Sequence, residues 1–228
     1  RRPEKWNIYR KEIFHEMVSI GVGSLGIIAI ISVFLGAVTT VQTAFQLVSD
    51  FIPKSVIGMI LRDSSILELS PTISAVVLAG KVGSSVASQI GTMRVTEQID
   101  ALEIMGINSA NYLILPKISA ATIFNPFLML MSFMIGLLGG AMIIFITGIV
   151  TMSQYVDGLH YAFRSYYIFY SMTKMAVFSF IITSISSFYG YNASGGSLGV
   201  GSSSTKAIVA SSVLILVANL VITHIMLV

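Results

Sequence analysis

Long stretches without a single charged residue alternate with short charged segments along this chain. Met17–Ser49, Ile118–Val156, Met175–Thr205 and Ala207–Val228 hold 33, 39, 31 and 22 residues free of Asp, Glu, Lys and Arg. About 20 helical residues at ~1.5 Å each cover a ~30 Å hydrocarbon core, so each stretch is long enough to cross a bilayer. The pattern predicts an all-α membrane protein with five spans: Ser19–Leu47, Ile57–Ile90, a third helix running to about Gly148, Tyr170–Phe188 and Ala207–Leu227. The third is read as one long helix, with a hairpin broken at Gly139-Gly140 as the alternative. Ahead of them, Trp6, Tyr9, Ile13 and Met17 recur every three to four residues, with Lys11, Glu12 and His15 opposite. That periodicity predicts an interfacial helix over residues 1–18, and the charges interrupting its apolar residues argue against a secretory signal peptide.

Span two departs from the others because Arg62, Asp63, Glu68 and Lys81 lie within it. Intramembrane charges cost a few kcal/mol each on insertion scales and so face protein or water. Glu68 and Lys81 are 13 positions apart, about 20 Å along a helix, too far to neutralise one another. Each is expected to meet either a neighbouring helix or an aqueous or headgroup-accommodating cavity. Small residues repeat every four positions along this span, Gly80, Ser84 and Ser88 beside Gly83, Ala87 and Gly91, and again at Gly136 and Gly140 in span three. Such ridges permit close helix approach, within one chain or across a dimer.

Between spans two and three, the connector Gly91–Pro116 carries Arg94, Glu97, Asp100 and Glu103, with Lys117 at its end. A short helix is predicted near 96–106, started by Thr96 and stopped by Gly106. Its wheel groups Ile99, Leu102 and Met105 against Glu97, Asp100 and Glu103, with Ile104 stranded on the acidic side. Two readings remain: a helix resting on the membrane surface with a solvated acidic face, or a helix docked into a cytoplasmic protein. The second accounts for Ile104, and acids suit an anionic leaflet poorly.

Composition sharpens this picture. Of 228 residues, 55% are apolar and 10% charged, and the mean hydropathy is +0.88, which excludes a soluble globular class. With 0 cysteines there is no disulfide framework, thiolate metal site or cysteine nucleophile. The net charge of +3 is concentrated: Arg1, Arg2, Lys5, Arg10 and Lys11 fall in the first eleven positions, a membrane-surface bias unlike a nucleic-acid footprint. Placing the N-terminus in the cytoplasm puts eight of thirteen basic residues there, with Lys54, Arg62, Arg164 and Lys174 outside, so a periplasmic C-terminus is expected.

Catalytic motifs fail on context. His15-Glu16-Met17-Val18-Ser19 lacks the second His of a zinc-binding helix, and no metal site or cofactor is expected. Gly195-Gly196-Ser197-Leu198-Gly199 matches a nucleophile elbow in letters, but no Asp or Glu follows Asp157, so Ser194–Thr205 is read as a flexible linker. The Gly-Lys-Ser/Thr order of a phosphate loop is missing as well, so energy for any uphill movement has to come from a partner.

Several stretches taken together resemble a known family. Leu67-Glu68-Leu69-Ser70-Pro71, Ala79-Gly80-Lys81-Val82-Gly83-Ser84, Ile90–Leu102, Met105-Gly106-Ile107 and Tyr189-Gly190-Tyr191-Asn192 are similar to motifs of the MlaE-type permeases of MCE-associated lipid ABC transporters. Departures are Leu67 and Lys81 where Arg is common, and Ser70 where Gly is common. The resemblance implies one permease domain over 1–228, a homodimer in the bacterial inner membrane, and no catalytic activity of its own. It implies a cytoplasmic ATPase partner, an MCE-domain lipid-binding partner outside, and phospholipid or related lipid as cargo; an ATP-independent channel or scaffold is the alternative. By the same resemblance, Thr39, Gln42, Gln46, Leu47, Glu68 and Leu69 correspond to the lipid pocket. The connector helix corresponds to the coupling helix, with Arg94, Glu97, Asp100, Leu102, Glu103 and Ile104 at the ATPase.

Overall fold

The structure is a computed structural model that describes residues 6–46 and 53–227. Among the described residues the chain is helical and has no strand: α1 (Trp6–Gln46), α2 (Val56–Val95), α3 (Gln98–Ile104), α4 (Ser109–Thr147), α5 (Met152–His160), α6 (Tyr166–Tyr191) and α7 (Gly196–Leu227). α1, α2, α4, α6 and α7 are each long and apolar enough to cross a membrane. The protein is therefore an all-α, multi-pass membrane protein.

Several boundaries differ from expectation. The interfacial segment and the first span form one helix of 41 residues, because nothing between Met17 and Ile20 breaks the backbone ladder. α4 is continuous through Gly139-Gly140 and starts at Ser109, several residues before the expected connector end at Pro116. Asn108 explains that start, its Oδ1 accepting from the Asn111 backbone N–H at 3.1 Å. The Gly/Ser stretch expected to be a linker is mostly helix, since α7 begins at Gly196. A short helix not anticipated, α5, opens with a capping box in which Thr151 and Gln154 satisfy each other's backbone N–H groups at 3.4 Å.

α2 contains two wide π-turns, Ser65–Ile73 and Ala79–Gly83. Pro71 lies inside the first; its ring has no N–H and would press on the carbonyl four residues back in a regular helix. Widening the turn relieves that clash.

Two compact units divide the chain, one of residues 1–24, 75–126 and 174–228, the other of 25–74 and 127–173. In the second, α1 and α4 cross at small residues: a Cβ added to Gly36 would stand 1.8 Å from the Gly136 carbonyl oxygen, and the Ser32 and Ser132 hydroxyls are 2.8 Å apart. Ile57, Leu61, Ile144, Val150 and Tyr155 form its apolar core. Arg62, 2% exposed, donates from Nη1 to the carbonyls of Leu159 at 2.8 Å and Tyr161 at 2.7 Å. It is also ion-paired to Asp63 at 2.7 Å and lies over the Phe163 ring. The carbonyls at the end of α5 have no intrahelical partner, and the guanidinium supplies one.

In the first unit the small ridge of α2 packs within the chain. Gly83 faces Ser186, Gly91 faces Ala193 and Val200, and Ser88 bonds Ser204 at 2.9 Å; nothing lies within 4 Å of a Cβ added at Gly80. Lys117, expected at the cytoplasmic surface, is instead buried in α4, paired with Glu16 and donating to Gln89 at 2.8 Å. Lys174, expected outside, is fully buried in α6 and donates to Thr223 at 3.2 Å.

Candidate functional site

Two groups of residues singled out by sequence lie in different units. In the unit of residues 25–74 and 127–173, the first π-turn carries Glu68, Leu69, Ser70 and Pro71. A π-turn leaves carbonyls without their regular partners. The Ile66 carbonyl, at the start of this turn, accepts from the Ser171 hydroxyl at 2.5 Å. Beside the turn, a narrow crevice is lined by Ser32, Leu35, Gly36, Leu69, Ser70 and Ser132, among others.

Of the expected pocket residues, Leu69 lines this crevice. Thr39 is one turn further along α1, its hydroxyl donating to the Leu35 carbonyl at 2.7 Å. Gln42 and Gln46 are exposed on the last turns of α1. Glu68 is half-buried and accepts from the Thr72 hydroxyl at 2.9 Å. Leu47 lies outside the described residues. Lys81, expected to face protein or a cavity, lines an open cleft of the other unit, exposed at its edge with its ammonium beside α1 at Gly23.

The second group is the connector, in the other unit. α2 ends as Thr96 returns its hydroxyl to the Thr92 carbonyl at 2.8 Å, so Thr96 does not cap the next helix as expected. Glu97 makes the reversal, with φ at 59°, and α3 follows from Gln98. Gly106, with φ at 76°, closes α3: its N–H donates to Glu103 and that of Ile107 to Leu102, the paired bonds of a Schellman ending.

The acidic face is mostly engaged within the chain. Arg94 pairs with Asp100 at 2.5 Å and lies over the Tyr191 ring at 5.8 Å. Glu103 accepts from the hydroxyls of Tyr191 and Ser109, each at 2.9 Å, and these two hydroxyls are themselves 2.9 Å apart. The Tyr191 hydrogen bond, with those of Ser109 and the nearby Arg94 charge, holds the Glu103 carboxyl below its ordinary value of 4.5. The apolar face divides: Ile99 is fully buried, Leu102 half-buried, and Met105 exposed together with Ile104 (88%). The connector therefore holds a rigid base on α6 and α4 and presents an apolar tip of Ile104, Met105 and Ile107.

Sequence reasoning missed the Arg62 clasp, Ser171 and Tyr191 as partners. Arg62 was visible only as an intramembrane charge, and Thr151-x-x-Gln154 was a legible capping signal for α5. Among the described residues, no group of three or more His, Asp or Glu is placed to hold a metal ion.

Comparison with known proteins adds to this geometry. A family profile described as Permease MlaE matches residues 13–225. The chain is 37% identical over 221 residues to a probable ABC transporter permease protein of Rickettsia bellii, covering 95% of this chain and 83% of that one. It is 33% identical over 219 residues to a probable ABC transporter permease protein of Synechocystis, covering 96% and 83%. It is also 35% identical over 219 residues to Protein TRIGALACTOSYLDIACYLGLYCEROL 1, chloroplastic, of Arabidopsis thaliana, covering 96% of this chain and 62% of that protein.

Proposed function

The chain belongs to the MlaE permease family, and from that premise we propose that it is the membrane-spanning subunit of an ABC transporter that moves phospholipid or a related lipid. A separate ATPase on the cytoplasmic side drives it, and an MCE-domain partner on the other side exchanges lipid with a homodimer of this chain in a bacterial inner membrane. The N-terminus and α3 face the cytoplasm. This chain performs no catalysis itself.

The observation that carries the reading is the connector, whose apolar tip projects from a base fixed by Arg94, Asp100, Glu103, Ser109 and Tyr191. An exposed Ile104 in an otherwise internally bonded loop is costly in water and favourable in a partner's apolar groove. Because Tyr191 ends α6 and Ser109 starts α4, a push on the tip is transmitted to the ends of two spans. Arg94, Asp100, Leu102 and Glu103 thus position the tip, while Glu97 and Ile104 contact the ATPase.

The lipid cargo is supported by the plant relative, which carries the name of a galactolipid. Thr39, Gln42, Gln46, Leu47, Glu68 and Leu69 line the route, which the first π-turn opens by displacing Glu68 and Leu69 from a regular helical register.

The test is ATP-dependent transfer of fluorescent phospholipid by the full complex in proteoliposomes, with Ile104→Asp and Glu97→Lys as variants. Coupled transfer is expected to fall at least tenfold in Ile104→Asp, with the permease still folded. Wild-type coupling in both variants would overturn the docking role. Transfer that proceeds equally without ATP or the ATPase would instead establish a passive channel.

A further inference from the structure

Within the unit of residues 1–24, 75–126 and 174–228, a second cleft, open on one side, lies between α1 and α2. Its enclosed part has room for a few waters, enough to admit a small oxyanion from the open side. Polar groups line it at a depth where apolar residues are the rule: Glu16, Ser19 and Ser24 from α1, and Lys81, Ser85 and Gln89 from α2.

The charges in this cleft do not cancel. Glu16 is already neutralised by the buried Lys117, which also takes the Gln89 side-chain carbonyl. The Lys81 ammonium makes no hydrogen bond or ion pair among the described residues, and it is held over α1, 3.7 Å from where a Gly23 Cβ would be. Next to Gly23, Ser24 is 1% exposed and its hydroxyl has no hydrogen-bond partner. A buried hydroxyl without a partner costs about 1–3 kcal/mol, so its persistence at the wall of a cleft beside an uncompensated cation points to a missing acceptor.

One acceptor that answers both the Ser24 hydroxyl and the Lys81 ammonium is an anion reached from the membrane. Val95 ends α2 at the connector; counting back at ~1.5 Å per residue, Gln89 is about 9 Å and Lys81 about 21 Å from that end. Both residues lie in the connector-side half of α2, and basic pockets between helices toward the cytoplasmic side hold anionic headgroups.

We infer that the cleft is a site for the phosphodiester group of an anionic phospholipid from the leaflet on the connector side, with Lys81 as its cation and Ser24, Ser19 and Ser85 as hydroxyl donors. It is separate from the route assigned to Thr39, Glu68 and Leu69. The inference requires only that the chain sit in a membrane, so it stands whether or not lipid is the cargo.

The experiment is titration of the full-length chain in mild detergent with dioctanoyl-phosphatidylglycerol, dioctanoyl-phosphatidylcholine and inorganic phosphate, read by native mass spectrometry and by the shift in melting temperature. Phosphatidylglycerol is expected to bind at least tenfold more tightly than phosphatidylcholine, with one bound molecule weakened about tenfold by Lys81→Gln and restored by Lys81→Arg. Ser24→Ala weakens the same adduct several-fold, while Lys206→Gln, an exposed lysine of the same unit, leaves it unchanged. Wild-type binding in Lys81→Gln, or equal loss in Lys206→Gln, overturns the site. Inorganic phosphate binding as tightly as phosphatidylglycerol overturns the lipid as its source. Glu68→Gln should leave the Lys81-dependent adduct intact, so failure here and failure of the cargo reading are told apart.

Discussion

The hydroxyl of Tyr191, on the last residue of α6, donates to the carboxylate of Glu103 in α3 at 2.9 Å. A connector between two spans is thereby tied to the end of a third element, so moving α3 loads α6 directly. Tyr191→Phe keeps the ring under Arg94 and removes this bond together with the hydroxyl's 2.9 Å contact to Ser109. ATP-coupled transfer is expected to fall several-fold in Tyr191→Phe while the melting temperature moves little, as proteoliposome transfer alongside a thermal melt would reveal. An unchanged rate would show that α6 takes no part in coupling.

The same bond makes the connector acid-sensitive. Glu103 titrates below its ordinary 4.5 in the folded chain, so its contribution is complete above that value and is lost as pH falls through the lowered one. Amide exchange across 98–106, corrected for intrinsic rate, is expected to accelerate at pH below 4.5 in the wild type. In Glu103→Gln it should already be fast at pH 7 and show no such step.

Arg62 is a buried charge whose partners are two carbonyls and Asp63. Truncation to Ala leaves those groups without a donor and costs about 3–5 kcal/mol, the range for breaking a buried ionic cluster. Arg62→Lys should rescue little, because one ammonium cannot span both carbonyls and Asp63 as the planar fork does. Protease cutting within 152–165 reads the effect: rapid cutting is expected in both variants, and resistance in Arg62→Lys would refute the fork requirement.

Close backbone approach at the α1–α4 crossing predicts an asymmetric glycine response. Gly36→Ala sets a methyl 1.8 Å from a backbone oxygen that cannot rotate away, and a loss of at least 1–3 kcal/mol is expected. Gly26→Ala, on the same helix with nothing within 4 Å, should be neutral or stabilising by up to about 1 kcal/mol through helix propensity. Melting temperatures of the two variants decide the matter.

Ser171 serves the π-turn by reaching the Ile66 carbonyl. Ser171→Ala leaves that buried carbonyl with one partner fewer and should cost about 1–3 kcal/mol, whereas Ser171→Thr, which retains the hydroxyl, should cost less. Equal melting temperatures for Ala and wild type would mean the carbonyl is satisfied elsewhere.

Hydropathy and residue spacing were sufficient for the class of this protein: uncharged stretches of 22 to 39 residues admit no other solvent than lipid, and the four helices they belong to, α1, α4, α6 and α7, all have span length. Gly106 as the stop of α3 was equally legible, because a positive φ at a helix end is a local demand that glycine meets. Tertiary structure decided the fate of the charges. Lys117 looked like a surface cation and is buried on Glu16, Asp100 and Glu103 looked like a free acidic stripe and are bonded to Arg94, Ser109 and Tyr191, and Arg62 became the clasp of a helix the hydropathy pattern does not show. The physical reason is range. Hydrophobic periodicity and backbone dihedrals act within a few residues, whereas the partner of a buried charge in these pairs stands 101 positions away for Lys117 and 97 for Arg62, and chain separation carries no information about which groups low dielectric will force together.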